Sequence, residues 1–160
     1  METKIETTKK LNINTTRKRK VFGQGKGVVQ NKHTSNQRRR VQTMIFKLHS
    51  IAGKEFFYFP NFRMVNFMEG TRINKRKDRT LAGLAKYNNN MIEISLRCES
   101  WDDKTLFHIV AHELAHTWLS IEHDENCSLM SAIVPSEVNS IVKTCEIFSR
   151  LVESFKAKMK

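Results

Sequence analysis

The sequence has few cysteines and no long apolar segment. Its 160 residues contain three cysteines, Cys98, Cys127 and Cys145, and an odd number at such wide spacing does not fit a disulfide framework. The N-terminal residues are polar and lack the apolar stretch of a secretory signal. No apolar run is long enough to span a bilayer. We therefore expect an intracellular protein, cytoplasmic or nuclear, with no membrane partner.

Acidic residues are almost missing from the first quarter of the chain. Residues 1–40 contain 12 Lys and Arg against two acids, whereas residues 41–160 contain the other 16 against 14. The formal charge of +12 therefore lies almost wholly in residues 1–40. These residues include TRKRK (Thr16–Lys20) and NQRRR (Asn36–Arg40) and show no apolar periodicity, so they are predicted to form a basic arm without regular structure. Residues 41–160 are predicted to form one domain.

Aromatic residues are also scarce in this arm, where Phe22 is the only one. Twelve cations can neutralise phosphates and release counterions, which favours salt-dependent nucleic-acid binding without sequence preference. A single aromatic side chain does not indicate base stacking by the arm. We expect a nucleic acid or another acidic partner to contact residues 1–40, and a solvated tail with no partner is the alternative.

Hydrophobic periodicity in residues 41–160 indicates the order helix, strands, helix, irregular loop and helix, which is an α+β fold. In MIEISL, Glu93 and Ser95 alternate with apolar residues, which predicts a strand with one exposed face. The predicted strands are RMVNFME (Arg63–Glu69), TLAGLAKY (Thr80–Tyr87) and MIEISL (Met91–Leu96).

The predicted helices have recognisable capping residues. Ser100 is the predicted N-cap of the second helix, where Asp103 completes a capping box, and Ser136 is the predicted N-cap of the last. Apolar residues at helical spacing mark the buried face of each. The first helix is predicted to run from Val41 to about Gly53, and the second from about Trp101 to about Leu119.

The strongest chemical signal is HELAH, residues 112–116. His112 and His116 are four residues apart in a predicted helix, so both imidazoles leave one face and could bind a single ion. Zinc binds neutral imidazole readily and keeps an open position when only three protein ligands hold it. Glu113 would then accept a proton from zinc-bound water. The alternative interpretation is a helix with two ordinary histidines whose hydrogen bonds are satisfied.

This stretch resembles the zincin metallopeptidases, and most closely the metzincin branch. That branch has HExxHxxGxxH, or Asp in last place, followed by a turn with a methionine beneath the metal. Here Leu119 stands in the place of the glycine, and Met130 in CSLMS (Cys127–Ser131) resembles the methionine turn. The resemblance implies a small mixed sheet packed on the long HExxH helix, one zinc ion, and a protein or peptide substrate. Metzincins often place a tyrosine shortly after that methionine, and this chain has none there.

The sequence leaves the third zinc ligand open. Glu122 stands in the register of the family's third ligand, and His123 is one residue late. Because Leu119 replaces the glycine that ends the helix sharply, one extra residue before the ligand is plausible, and imidazole better matches a site with two histidines. His123 is therefore favoured, with Glu122 or a more distant residue as alternatives. Cys127 could be a fourth ligand that closes the site.

A second resemblance is to the SprT-like family, HExxH proteins linked to DNA and to DNA–protein crosslinks. RTLAGLAKYNNNMIEISL (Arg79–Leu96) is similar to the strand pair that leads into that family's metal helix, although no histidine follows His123. In metzincins, the strand before the helix binds the substrate backbone, which would place Leu81–Tyr87 along the cleft. Gly83 would permit close backbone approach there, and an ordinary strand bend is the alternative.

Together these residues predict a zinc-dependent metallopeptidase that hydrolyses peptide bonds. His112, His116 and His123 would bind zinc, Glu113 would be the general base, and the basic arm could tether the enzyme to nucleic acid. The alternative is a catalytically silent nucleic-acid-binding or structural protein on a zincin scaffold. The missing glycine, the missing tyrosine and the open third ligand leave that alternative open.

Overall fold

Three α-helices and a three-stranded mixed sheet make up the described part of the protein, so the predicted α+β class is confirmed. The structure is a computed structural model that describes residues 32–67, 81–86 and 89–159. None of its described helices is long and apolar enough to cross a membrane. The elements in chain order are α1 (Lys32–Ala52), β1 (Asn61–Val65), β2 (Gly83–Lys86), β3 (Met91–Ser95), a 3₁₀ helix (Leu96–Ser100), α2 (Asp103–Leu119) and α3 (Ile141–Lys158).

Helix α1 begins earlier than the apolar periodicity predicted. It starts at Lys32, nine residues before Val41, so the segment NQRRR is helical and does not belong to an arm without regular structure. Within the added turns Gln37 is buried, and the Arg40 guanidinium donates to the carbonyl of Cys98 at 3.0 Å and to Oδ1 of Asp103 at 2.8 Å. Residues 1–31 of the predicted arm lie outside the described residues.

The other end of α1 is where the sequence predicted it. Gly53 has a φ of 104°, a left-handed conformation that suits glycine after a helix, and its N–H donates to the carbonyl of His49 at 2.9 Å. The predicted apolar face of α1 is buried in the main core and consists of Val41, Met44, Ile45, Leu48 and Ala52.

The sheet has the strand order β1–β3–β2, with β3 parallel to β1 and antiparallel to β2. The central strand contributes Ile92 and Ile94 to the main core, where α2 contacts both β2 and β3. Strand β1 begins two residues before the predicted Arg63 and ends at Val65. Residues 68–80, which include the predicted end of that strand, lie outside the described part of the chain.

Strand β3 is buried on both faces, so the expectation of a half-exposed strand is wrong. Glu93 and Ser95 are both 0% exposed. Arg63 lies opposite Glu93 in the parallel register and donates to its Oε2 from Nε at 3.1 Å and from Nη2. Lys86 Nζ lies 3.9 Å from the same oxygen. The antiparallel partner of Glu93, Leu84, belongs to a second buried cluster that covers this face.

Helix α2 is the central helix, and it packs against α1, α3 and two strands of the sheet. Its N-cap is Asp102, whose carboxylate accepts a backbone N–H from the first turn at 3.0 Å. The prediction that Ser100 is the N-cap of this helix is therefore wrong. Ser100 ends the 3₁₀ helix instead, and its hydroxyl donates to the carbonyl of Arg97 at 3.0 Å.

Helix α3 also begins later than predicted. Its N-cap is Ser140 and not Ser136, and the Ser140 hydroxyl accepts the backbone N–H of Lys143 at 3.1 Å. Val138, which the sequence placed on the helix, is buried before the helix begins. The long segment between α2 and α3 is therefore almost wholly irregular, and it folds back over α2.

Candidate metal centre

His112 and His116 lie one turn apart near the C-terminal end of α2, and both are essentially fully buried. The Nδ1 of His112 bonds to the carbonyl of Leu129 at 2.7 Å, and the Nδ1 of His116 bonds to the carbonyl of Ile121 at 2.6 Å. Both carbonyls belong to the irregular segment after α2. The helix therefore supplies the two rings, and the returning backbone fixes their orientation.

These two hydrogen bonds determine which nitrogen of each ring carries a proton. A carbonyl oxygen only accepts, so each Nδ1 must be the donor, and each neutral ring then presents an unprotonated Nε2. Burial lowers the pKa of His112 to about 3 and that of His116 to about 2, so both rings are neutral at neutral pH. The structure thus holds two imidazoles as electron-pair donors.

The two Nε2 atoms face each other at 3.1 Å. A hydrogen bond between them would need a proton on one Nε2, which would make that buried ring an imidazolium. Two lone pairs at this separation repel each other unless a cation lies near both. One tetrahedral zinc ion holds two imidazole nitrogens roughly 3.3 Å apart, given Zn–N distances of about 2.0–2.1 Å. The observed spacing therefore fits a shared metal ion.

The residue at which helix α2 ends was hard to predict, because the sequence has no glycine at position 119. Leu119, which replaces the glycine of the metzincin pattern, is the last helical residue. The left-handed conformation falls on the next residue, Ser120, with φ 55° and ψ 36°, and its N–H donates to the carbonyl of His116 at 3.1 Å. The chain therefore turns one residue later than in that pattern.

This later turn brings His123 to the pair on the helix. The ring centroid of His123 lies 5.3 Å from that of His112 and 4.8 Å from that of His116. One nitrogen from each of the three rings lies within 4.8 Å of the others, so the group could hold a metal ion. Glu122 is exposed and is not part of this group. Among the described residues, the geometry therefore favours His123 over Glu122.

The segment that contains Met130 folds into a tight loop beside the histidines. The Asp124 N–H donates to the Met130 carbonyl at 3.0 Å, and the Met130 N–H donates to the Cys127 carbonyl at 3.0 Å. Met130 is fully buried, and its neighbour Leu129 supplies the carbonyl that orients His112. The loop thus supports the site through its backbone. Cys127 is half-buried and does not join the three-histidine group.

Glu113 lies beside the histidines in sequence and packs against β2 in space. It is 0% exposed. A Cβ added at Gly83 would lie 2.9 Å from Oε2 and 3.0 Å from Cγ of Glu113. Gly83 lies within β2 and does not have a positive φ. The absence of a side chain at Gly83 therefore makes room for Glu113, a role that the sequence did not suggest.

One further histidine on α2 was missed by the sequence interpretation. His108 lies one turn before His112, is 2% exposed, and its Nδ1 has no hydrogen-bond partner among the described residues. Burial lowers its pKa to about 4. It is not part of the three-histidine group. The four-residue spacing of positions 108, 112 and 116 is the signal that places all three on one face of the helix.

Comparison with known proteins gives no match to this chain from any family model, curated protein or solved structure. The case for a metal centre therefore rests on the residues themselves. Their donor atoms fit a metal, because three imidazoles converge and two of them are fixed in the tautomer that a metal requires.

Proposed function

We propose that this protein is a zinc-dependent metallopeptidase of the zincin type, with His112, His116 and His123 as the zinc ligands. The observation that carries the proposal is the facing pair of unprotonated Nε2 atoms at 3.1 Å, with a third imidazole beside them. Imidazole nitrogen suits several transition metals, and a three-histidine set with an open position is typical of catalytic zinc. The HExxH pattern adds Glu113 to that set.

The residues of the proposed site would have separate roles in hydrolysis. A bound zinc ion would lower the pKa of a water molecule and polarise the carbonyl of the peptide bond. The carboxylate of Glu113 would accept the proton of that water and later deliver it to the leaving amine nitrogen. The absence of a side chain at Gly83 leaves room for the Glu113 side chain, and the carbonyls of Leu129 and Ile121 keep the two helix histidines correctly oriented.

Replacement of Glu113 by Gln tests this assignment. Gln is close in size but is not a base, so hydrolysis of a fluorescently labelled, denatured protein should fall by about 100- to 10,000-fold. The zinc content should stay at the wild-type level, because Glu113 is not a ligand. Glu122→Gln is the matched control, since this carboxylate is exposed and outside the histidine group. Full activity in Glu113→Gln would remove Glu113 from the mechanism.

A catalytically silent protein on the same scaffold is the second candidate. Two observations favour it: Glu113 is fully buried, and no tyrosine follows Met130. Such a protein would bind zinc at full occupancy, and its wild-type form would show no hydrolysis above that of Glu113→Gln. The comparison of these two proteins therefore separates the two candidates.

The proposed tether through the basic arm is a separate matter. Of residues 1–40, the structure places 32–40 in α1, where Arg40 is engaged by Asp103. The remaining cations of the arm, including the TRKRK cluster, are proposed to contact nucleic acid or another acidic partner by charge alone. Replacing the four cations of TRKRK by Gln should then reduce the salt dependence of binding.

A further inference from the structure

Exposed aromatic side chains lie beside α1, at the surface of the domain. Tyr58 is 85% exposed and Phe46 is 56% exposed, and exposed apolar side chains that lie together can mark an interaction site, whereas single ones need no explanation. Phe46 packs against Phe59, with ring centroids 4.8 Å apart. The carbonyls of Tyr58 and Phe59 both accept hydrogen bonds from the side-chain amide of Asn90, which fixes this segment on the domain.

A cation, Arg38, lies on the same side of α1 as Phe46. Arg38, Gln42 and Phe46 are exposed at four-residue spacing, so they form one stripe on the helix. The guanidinium of Arg38 lies 4.5 Å from the ring centroid of Phe62. Because Phe59 contacts position 46 and Phe62 contacts position 38, the segment 59–62 runs antiparallel to the helix. Arg38 and Phe46 of the helix thus each pack on an aromatic ring of this segment, and the exposed Tyr58 directly precedes it.

We call this surface the aromatic–basic face and define it by Arg38, Phe46, Tyr58, Phe59 and Phe62. Positions 38 and 46 are about 12 Å apart along the helix. That distance corresponds to roughly three or four bases stacked at 3.4 Å.

The charge around this face selects the kind of partner. Residues 32–54 contain six Lys and Arg and no acidic residue. Of these cations, Arg40 is engaged by Asp103, whereas Arg38, Arg39 and Lys47 are exposed. A partner with regular negative charge and flat, unpaired rings fits both properties. Single-stranded nucleic acid has both, since cations neutralise its phosphates and exposed aromatic rings stack on its bases.

We propose that the aromatic–basic face binds single-stranded nucleic acid, with Tyr58 and Phe46 as stacking platforms and Arg38 at a phosphate or base. This interface belongs to the folded domain. It is distinct from the arm, for which the sequence indicates charge neutralisation without stacking, and it is independent of the proposed peptidase activity. A double helix has its bases stacked inside and offers these rings little, so single strands should bind more tightly.

Fluorescence anisotropy of a short fluorescein-labelled oligothymidylate, titrated with the full-length chain, tests the proposal. Tyr58→Ala and Phe46→Ala should each weaken binding by roughly 5- to 150-fold, the range that loss of one base–aromatic stack produces. Phe56→Ala is the matched control, because Phe56 is similarly exposed but packs beneath Lys156 of α3. It should bind like the wild type. Thermal unfolding followed by circular dichroism checks that each variant is folded.

A second comparison separates stacking from charge. A full-length variant with Arg17, Lys18, Arg19 and Lys20 replaced by Gln should bind more weakly and with a smaller salt dependence. Within that variant, Tyr58→Ala should still produce the same fold-loss. Oligouridylate in place of oligothymidylate shows whether the face prefers RNA or DNA.

Three results would overturn the proposal. One is the absence of binding by the wild-type chain, and another is wild-type affinity in both Tyr58→Ala and Phe46→Ala. The third is equal affinity for a duplex of the same length, which would mean that charge alone explains the binding.

Discussion

Gly83 and Glu113 are the pair of residues whose coupling the structure defines most sharply. An added methyl group at position 83 would press on Oε2, Cγ and Cδ of Glu113, at 2.9, 3.0 and 3.2 Å. These contacts are too short to persist, and Glu113 is fully buried, so its side chain has little room to move away. The position of the proposed general base therefore depends on a glycine in the neighbouring strand.

Gly83→Ala should lower the free energy of unfolding by about 1–3 kcal/mol, the usual result of overpacking. In a Glu113→Ala background, Gly83→Ala should lower the free energy of unfolding much less, because the Glu113 atoms that the new Cβ would contact are absent. Urea unfolding of the wild type, both single variants and the double variant measures this coupling. Equal costs in both backgrounds would show that the contact with Glu113 is unimportant.

His108 is a buried histidine whose protonation should affect stability. Burial lowers its pKa to about 4 in the folded protein, whereas an unfolded chain has a histidine pKa of about 6.5. The unfolded state therefore binds more protons between these values, so the stabilising contribution is complete above pH 6.5 and is lost as the pH falls towards 4.

Replacement of His108 by Leu should remove this dependence. Between pH 7 and pH 5, one such histidine accounts for about 2 kcal/mol of lost stability. The variant should therefore lose about 2 kcal/mol less than the wild type over this interval, with both proteins measured by urea unfolding in EDTA. Identical losses in the two proteins would mean that His108 is protonated without cost in the folded state.

At the scale of elements, the end of α2 decides the third member of the site. Ser120 adopts a left-handed conformation that costs a residue with a side chain about 1–2 kcal/mol. Replacing it by glycine should raise the free energy of unfolding by about 0.5–1 kcal/mol and leave the metal affinity unchanged. Ser120→Ala, which keeps the Cβ atom, is the control and should not be stabilised. A loss of stability in Ser120→Gly would contradict this reading of the helix end.

Elements whose signals are local could be predicted from the sequence. His112 and His116 follow from four-residue spacing in a helix, and the end of α1 follows from Gly53. His123 could be favoured over Glu122 as the third ligand but not assigned, because its position depends on whether the helix ends at residue 119 or at residue 120. A serine gives no signal for a left-handed conformation, whereas a glycine does.

Other features could not be predicted because they depend on partners far along the chain. In the added turns of α1, Arg40 bonds to Cys98 and Asp103, which are about sixty residues away. The burial of Glu93 rests on Arg63 in a neighbouring strand. A local alternation of polar and apolar residues contains no information on either contact.

At the scale of the whole molecule, the proposed metal would join two parts of the fold. His112 and His116 belong to the central helix, and His123 belongs to the irregular segment that returns over it. A ligand that binds only the folded state stabilises it by about 4 kcal/mol at a concentration of 1,000 times Kd. Zinc should therefore raise the unfolding temperature, and His123→Ala should abolish most of that increase, whereas Glu122→Ala should not.

Zinc per chain is the measurement that tests the central claim most directly. The protein would be purified without a histidine tag and without added metal, and its zinc content determined by inductively coupled plasma mass spectrometry. Near one zinc per chain is expected for the wild type, Glu113→Gln and Glu122→Ala, with much less in His112→Ala and His123→Ala. A folded wild-type protein with almost no zinc, which also fails to bind added zinc, would contradict the account of this site.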